Sequence, residues 1–224
     1  MTFSIIGRCA DTGQLGIAIS SSSIAVGARC PWLRPGVGAV STQNITLPAL
    51  GSHVLDQLEA GLSPEQALAT LGACDTHSEF RQVTAIDHQG NTAFFSGSHT
   101  LGCFHALAGE QCVGAGNMLA NSAVIDALVK AFETTGGQLA DRLIAAMQAA
   151  LAAGGEAGPV HSAALKVVGD LSWPLVDLRV DWADEAPIDA LEKLWIDYRP
   201  QMQAYITRAL DPTQAPRYGV PGDQ

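Results

Sequence analysis

Met1-Thr2-Phe3-Ser4-Ile5-Ile6-Gly7 opens the chain. Residues 2–9 alternate loosely and are rich in Phe and Ile, so a strand starts with the second residue. Asp11-Thr12-Gly13-Gln14 is a turn, and Leu15-Gly16-Ile17-Ala18-Ile19-Ser20-Ser21 is a second short apolar run. Two such runs joined by a D-x-G turn read as a β-hairpin. The first strand residue carries chemistry of its own. Methionine aminopeptidases remove Met1 when a small residue follows, and Thr2 is small enough. Removal leaves a hydroxyl beside a free α-amine, and such an amine can serve as general base to an N-terminal nucleophile. Its pKa of about 7.7–8.0 suits that task near neutral pH. A small second residue is also common in chains that catalyse nothing, so Thr2 alone does not decide the matter.

Outward from the hairpin, Gly36-Val37-Gly38-Ala39-Val40-Ser41-Thr42-Gln43 reads as a third strand, and residues 30–35 read as a connector. Residues 48–60 carry Leu50, Val54, Leu55 and Leu58 at helical spacing, and Gly61 closes that helix. Ser63-Pro64-Glu65-Gln66 starts a second helix, with Ser at the N-cap, Pro first inside and Gln three residues after the cap. Residues 80–87 and 91–96 flank His88-Gln89-Gly90 as another hairpin, and 109–116 form a further strand. Residues 119–134 and 138–153 are amphipathic helices. Gly154 to Pro159 is a loop, 161–168 and 175–180 are strands, and 188–210 is a last helix with Leu191, Leu194, Trp195, Tyr198 and Met202 on its inner face. Strands and helices come in blocks, and tight turns make most strand pairs antiparallel. The fold class expected is α+β, a four-layer αββα sandwich of two mainly antiparallel sheets. Residues 1–210 read as one domain and 211–224 as a peripheral C-terminal tail.

Composition narrows the function classes. Of 224 residues, 47% are apolar and 15% charged, which is a buried rather than a disordered composition. The formal charge is −10 and no Lys/Arg cluster occurs, so neither a nucleic-acid nor an anionic membrane partner is expected. No signal peptide and no membrane span is visible, so a cytoplasmic location is expected. Five cysteines show no C-x-x-C spacing, and six histidines form no paired motif. Free thiols, no metal site and no cofactor are the expectation. Small residues throughout would tolerate homo-oligomer contacts.

The stretches MTFSIIGRCADTGQLGIAISSSSIAVGARCPWLRPGVGAVSTQN, GAGNMLA and HSAALKVV resemble the bacterial domain-of-unknown-function family 1028. The resemblance covers roughly residues 2–200. It implies an N-terminal nucleophile (Ntn) hydrolase fold, again an αββα sandwich, and amidohydrolase chemistry by acyl transfer. Thr2 matches the nucleophile position. Residues 16–27 resemble the second-strand motif of proteasome-type members, where an aspartate follows; here a serine stands near that place, at Ser22. Their lysine has no match, and the nearest cation is Arg34. Residues 38–42 resemble the segment whose backbone N–H forms the oxyanion hole, which would fall near Thr42.

Each candidate also has a plainer role. Ser22 and Ser23 can orient the α-amine or satisfy a turn. Arg34 can bind a substrate carboxylate or pair with an acidic neighbour. Thr42, Gln43 and Asn44 stand at a strand end, and Gln43 offers both a donor and an acceptor. Asn117, after Gly-Ala-Gly, can donate to an oxyanion or cap a helix. Glu156 and His161 flank the Gly-rich loop; either can reach a cleft, and a solvated loop position is the plainer account. The functional expectation is an amidohydrolase that cleaves a C–N amide bond of a small molecule through an acyl-enzyme on Thr2. The alternative is a catalytically inactive scaffold that binds a small ligand or serves as an assembly subunit.

Overall fold

A computed structural model of the chain describes residues 1–220. Among the described residues, ten strands fall into two antiparallel sheets. The larger has β1 (Thr2–Arg8) near its centre, between β2 (Leu15–Ser21) and β8 (Cys112–Asn117). Beyond β2 lie β9 (Ser162–Val168) and β10 (Val176–Val180), and beyond β8 lies β7 (His105–Gly109). The smaller sheet runs β3 (Pro31–Arg34), β4 (Gly38–Asn44), β5 (Arg81–Asp87) and β6 (Thr92–Ser96).

Side-chain alternation makes the four layers. On β1, Phe3 and Ile5 point outward into a core with α4 (Ala123–Thr134), α5 (Leu139–Ala152) and α6 (Pro187–Leu210). On the smaller sheet, Val40, Val83 and Ala85 point outward onto α1 (Ala49–Glu59) and α2 (Pro64–Ala69). The remaining positions face each other between the sheets. Ile6, Leu15, Ile17, Val113 and Val168 of one sheet meet Ala39 and Ile86 of the other. The expected αββα sandwich is therefore the architecture observed. Gly114 and Gly116 are needed on β8 because a Cβ at either would come within 2.6 Å of Leu128 or Leu119.

Four local readings change. Residues 30–35 are not only a connector, since Pro31–Arg34 pair with β4. That strand is a sheet edge, where Pro is tolerated. The strand expected at 109–116 is a hairpin of β7 and β8, turning at Glu110-Gln111 with Gln111 at φ 59°. The helix expected from 119 begins at Ala123, because Met118 adopts φ 50° and Leu119 bridges Glu156. On α6, Leu194 is exposed, and Ile188, Leu191 and Trp195 form the buried stripe. A four-residue helix, α3 (Leu71–Cys74), follows α2. In the tail, Arg208 bonds the Pro216 carbonyl and lies over the Tyr218 ring, while 221–224 fall outside the described residues. No helix among the described residues is long and apolar enough to cross a membrane.

Candidate functional site

The layer between the sheets is graded. At the Arg8 end of β1 it is aliphatic; at the Thr2 end it is polar. Thr2, Ser4 and Ile6 are successive inward positions on β1, and the change falls between Ser4 and Ile6. Around Ser4 lie Ser41, Gln43, Gln82 and Asn117, all buried. Buried polar groups need partners, and these supply one another. Ser4 Oγ donates to Gln43 Oε1 at 2.7 Å and lies 3.2 Å from Ser41 Oγ. Gln43 Nε2 donates to Gln82 Oε1 at 2.8 Å and to the Ala115 carbonyl at 3.2 Å. Asn117 Nδ2 donates to the same Gln82 Oε1 at 3.1 Å, and Gln82 Nε2 reaches Ser96 Oγ and the Gly116 carbonyl. This chain of amides ties the two sheets together directly under Thr2.

Thr2 stands at the end of that network, 6% exposed, paired in register with Ser21 on one side and Asn117 on the other. Its Oγ1 lies 3.2 Å from Ser21 Oγ, and Ser21 Oγ lies 2.9 Å from Ser23 Oγ. Thr2 Oγ1 donates to the Met1 carbonyl at 2.5 Å, and Ser21 Oγ donates to the same oxygen. Two hydroxyls thus converge on one carbonyl oxygen at the mouth of the polar layer.

Glu156 is the unexpected member. It is 5% exposed, not a solvated loop residue. Its backbone bridges Leu119, just past β8, and its Oε2 accepts from the Ser22 N–H, just past β2, at 3.3 Å. Oε1 is buried without a partner. Burial pushes this carboxyl up to about 8, against smaller opposing pulls from the chain's α-amine and the Ser22 donor.

The sequence-predicted residues divide by position. Thr2, Ser22, Ser23, Gln43 and Asn117 gather at this end, but the Gln43 and Asn117 amides are engaged in the network. Ser23 Oγ also receives Arg29 Nη2 at 3.2 Å. Thr42 alternates with Ser41 and Gln43 and so faces away from Ser4; its N–H donates to the Cys30 carbonyl and its hydroxyl to the Leu47 carbonyl. The backbone donor expected for an oxyanion is therefore engaged. Asn44 closes β4 by bonding the Phe80 carbonyl and the Leu101 N–H. His161 donates its N–H to the Ser21 carbonyl, while its ring stacks on Trp182 at 4.4 Å with Nδ1 against the Ala183 carbonyl. Arg34 is not brought to the site. It stands opposite Gly38, at the far end of the β3–β4 pair, in ion pairs with Asp56 and Glu59.

Ser21 and Gln82 were not singled out from the sequence. Ser21 was visible in the Ser20–Ser23 run as the inward position opposite Thr2; nothing local marks Gln82. A cavity of about 490 Å³, lined by Cys9, Leu139, Val176, Trp195 and Met202 among others, lies at the opposite end of β1 and does not include Thr2. Among the described residues no group of three or more His, Cys, Asp or Glu is placed to hold a metal ion.

The model of a family of unknown function, DUF1028, matches residues 2–191. A crystal structure of a Silicibacter pomeroyi protein assigned to the same family is 32% identical, with a TM-score of 0.83 over 88% of this chain and 85% of that one. Anbu (ancestral beta-subunit) from Yersinia bercovieri aligns over 91% of this chain and 97% of its own at 12% identity and a TM-score of 0.41. Anbu from Hyphomicrobium sp. strain MC1 aligns over 97% of this chain and 100% of its own at 12% and 0.43. No curated protein matches the chain. With nearly its whole length matched and a close structural relative beside it, the chain belongs to the family of unknown function DUF1028.

Proposed function

We propose that the protein is an amidohydrolase whose nucleophile is Thr2, freed by loss of Met1. The observation that carries this reading is the placement of the Thr2 hydroxyl. It faces inward from the first position of a central strand, 3.2 Å from Ser21 Oγ, with the α-nitrogen on the same residue. In the proposed reaction Thr2 Oγ1 adds to the amide carbonyl carbon of a small substrate, and its proton passes to the Thr2 amine. The C–N bond breaks as that proton moves to the leaving nitrogen, leaving an ester on Thr2. Water then adds to the ester carbonyl, releases the acid and restores the hydroxyl. Ser21 Oγ, which donates to a carbonyl oxygen beside Thr2, is the donor proposed for the developing oxyanion.

A substrate-like electrophile, such as a β-lactone, tests this. Opening of the lactone by Thr2 adds its full mass to the N-terminal peptide, and Thr2→Ala abolishes the adduct. A Thr2→Ala protein that labels like the wild type, or turns over a wild-type substrate at full rate, overturns the proposal.

A second reading has its own support. The Gln43, Gln82 and Asn117 amides are engaged with one another, and the Thr42 N–H is held by Cys30. That arrangement favours a scaffold which binds a small ligand without cleaving it. A covalent Thr2 adduct decides against it.

A further inference from the structure

Glu156 does something the network under Thr2 does not require. Its two ends are fixed on opposite sides of β1. The backbone is held beyond β8, where Leu119 bridges Glu156, Ala120 N–H donates to the Gly155 carbonyl and Ala157 N–H donates to the Met118 carbonyl. The carboxylate reaches beyond β2, to the Ser22 N–H. Since β1 lies between β2 and β8, the side chain spans the end of β1 where the chain begins. One oxygen is accounted for by Ser22; the other is buried with no partner. A buried carboxylate oxygen without a donor is costly unless a cation or donor reaches it.

We infer that Glu156 is the positioning carboxylate of the mature N-terminus, spanning the end of β1 to hold the α-ammonium of Thr2 once Met1 is gone. This rests on the loss of Met1 under the reading above, and extends it by assigning the group that orients the amine. An ammonium has three donors, and the free Oε1 supplies an acceptor for one of them. The pairing holds the amine charged at rest, so before it accepts the Thr2 Oγ1 proton the ammonium passes one proton to the Glu156 carboxylate, leaving a neutral amine beside a neutral carboxyl. In the Met1-bearing chain the charge that acts on Glu156 is the chain's own α-amine. The side chains nearby are otherwise engaged. Arg29 bonds the Ile24 and Ala25 carbonyls and Ser23 Oγ. His161 stands against Ala183 and Trp182, whose indole N–H donates to Asp184. Asp181 is taken by Arg179.

The test reads the amine directly and needs no amide substrate. Full-length protein starting at Thr2, produced by aminopeptidase trimming where the host does not supply it, is carbamylated with cyanate across pH, and the N-terminal peptide is quantified by mass spectrometry. The expected result is that Glu156→Gln lowers the pH midpoint of the Thr2 amine by about one unit, a tenfold loss of proton affinity. Glu156→Asp, which keeps the charge but draws it back, gives an intermediate midpoint and serves where the Gln variant does not fold. A wild-type midpoint in either folded variant overturns the inference. Retention of Met1 in the host refutes the proposed function and removes the premise of this inference with it, whereas an unshifted midpoint in the trimmed protein refutes only the assignment of Glu156.

Discussion

Gln82→Met removes the hub of the inter-sheet network while keeping the side chain's length. Gln82 is fully buried, accepts from Gln43 and Asn117 and donates to Ser96 and the Gly116 carbonyl. Four net hydrogen bonds are worth about 0.5–1.5 kcal/mol each, and the Asn117 amide left buried without its partner costs about 1–3 kcal/mol more. The sum is about 3–9 kcal/mol, and burying the thioether recovers about 1.5–3 kcal/mol, which leaves a destabilisation of about 1.5–6 kcal/mol, centred at about 4. Against a typical total of about 5–15 kcal/mol, that is a large share. With a urea slope near 2.5 kcal/mol/M, a loss of about 4 kcal/mol moves the unfolding midpoint down by about 1.6 M. The control is two residues along the same inward face. Thr84 is also buried, but its hydroxyl has no partner, so Thr84→Val removes a buried polar atom and is expected to stabilise by about 1 kcal/mol. Circular dichroism in urea measures both. A Gln82→Met midpoint within about 0.4 M of wild type, roughly 1 kcal/mol at that slope, would show that the network does not hold the sheets together.

Two further outcomes follow from the same structure. In the Met1-bearing chain the Glu156 carboxyl is pushed from 4.5 to about 8 by burial, so the folded state binds its proton more tightly than the unfolded state. Its contribution to stability is full below pH 4.5 and is lost as pH rises towards about 8; Glu156→Gln should flatten that part of a stability-versus-pH curve, and an unchanged slope would refute the burial argument. Gly51→Ala in α1 should destabilise by about 1–2 kcal/mol in thermal unfolding, although Ala is the better helix former by about 1 kcal/mol, because its Cβ would lie 2.1 Å from Trp32 Cγ. The Trp32 indole N–H donates to the Arg29 carbonyl, so the ring is not free to retreat; a stabilised variant would show that it does.

The fold was legible where local chemistry and global placement agree. The first hairpin was marked by its D-x-G turn, and α2 by Ser63 and Gln66, whose reciprocal capping bonds are present. The missed strands are both edges. Pro31 and Pro35 disguise β3, and β7 turns into β8 at Glu110-Gln111, where the positive φ falls on Gln111 rather than on a glycine. Of the candidate site, the position of Thr2 was legible because a strand begins on it. Glu156 was not, because a glycine-rich loop predicts exposure; its burial comes from contacts with Leu119 and Ser22, which lie 37 and 134 positions away in sequence. Arg34 shows the converse, since a lone cation between apolar neighbours gives no local sign of Asp56 and Glu59 on the next helix.

The mass of the N-terminal peptide from protein purified out of its native host tests the central claim most directly. The account predicts a peptide that begins at Thr2 with an unmodified α-amine. A peptide that still carries Met1, or any residue ahead of Thr2, leaves the nucleophile without its amine base and contradicts the account.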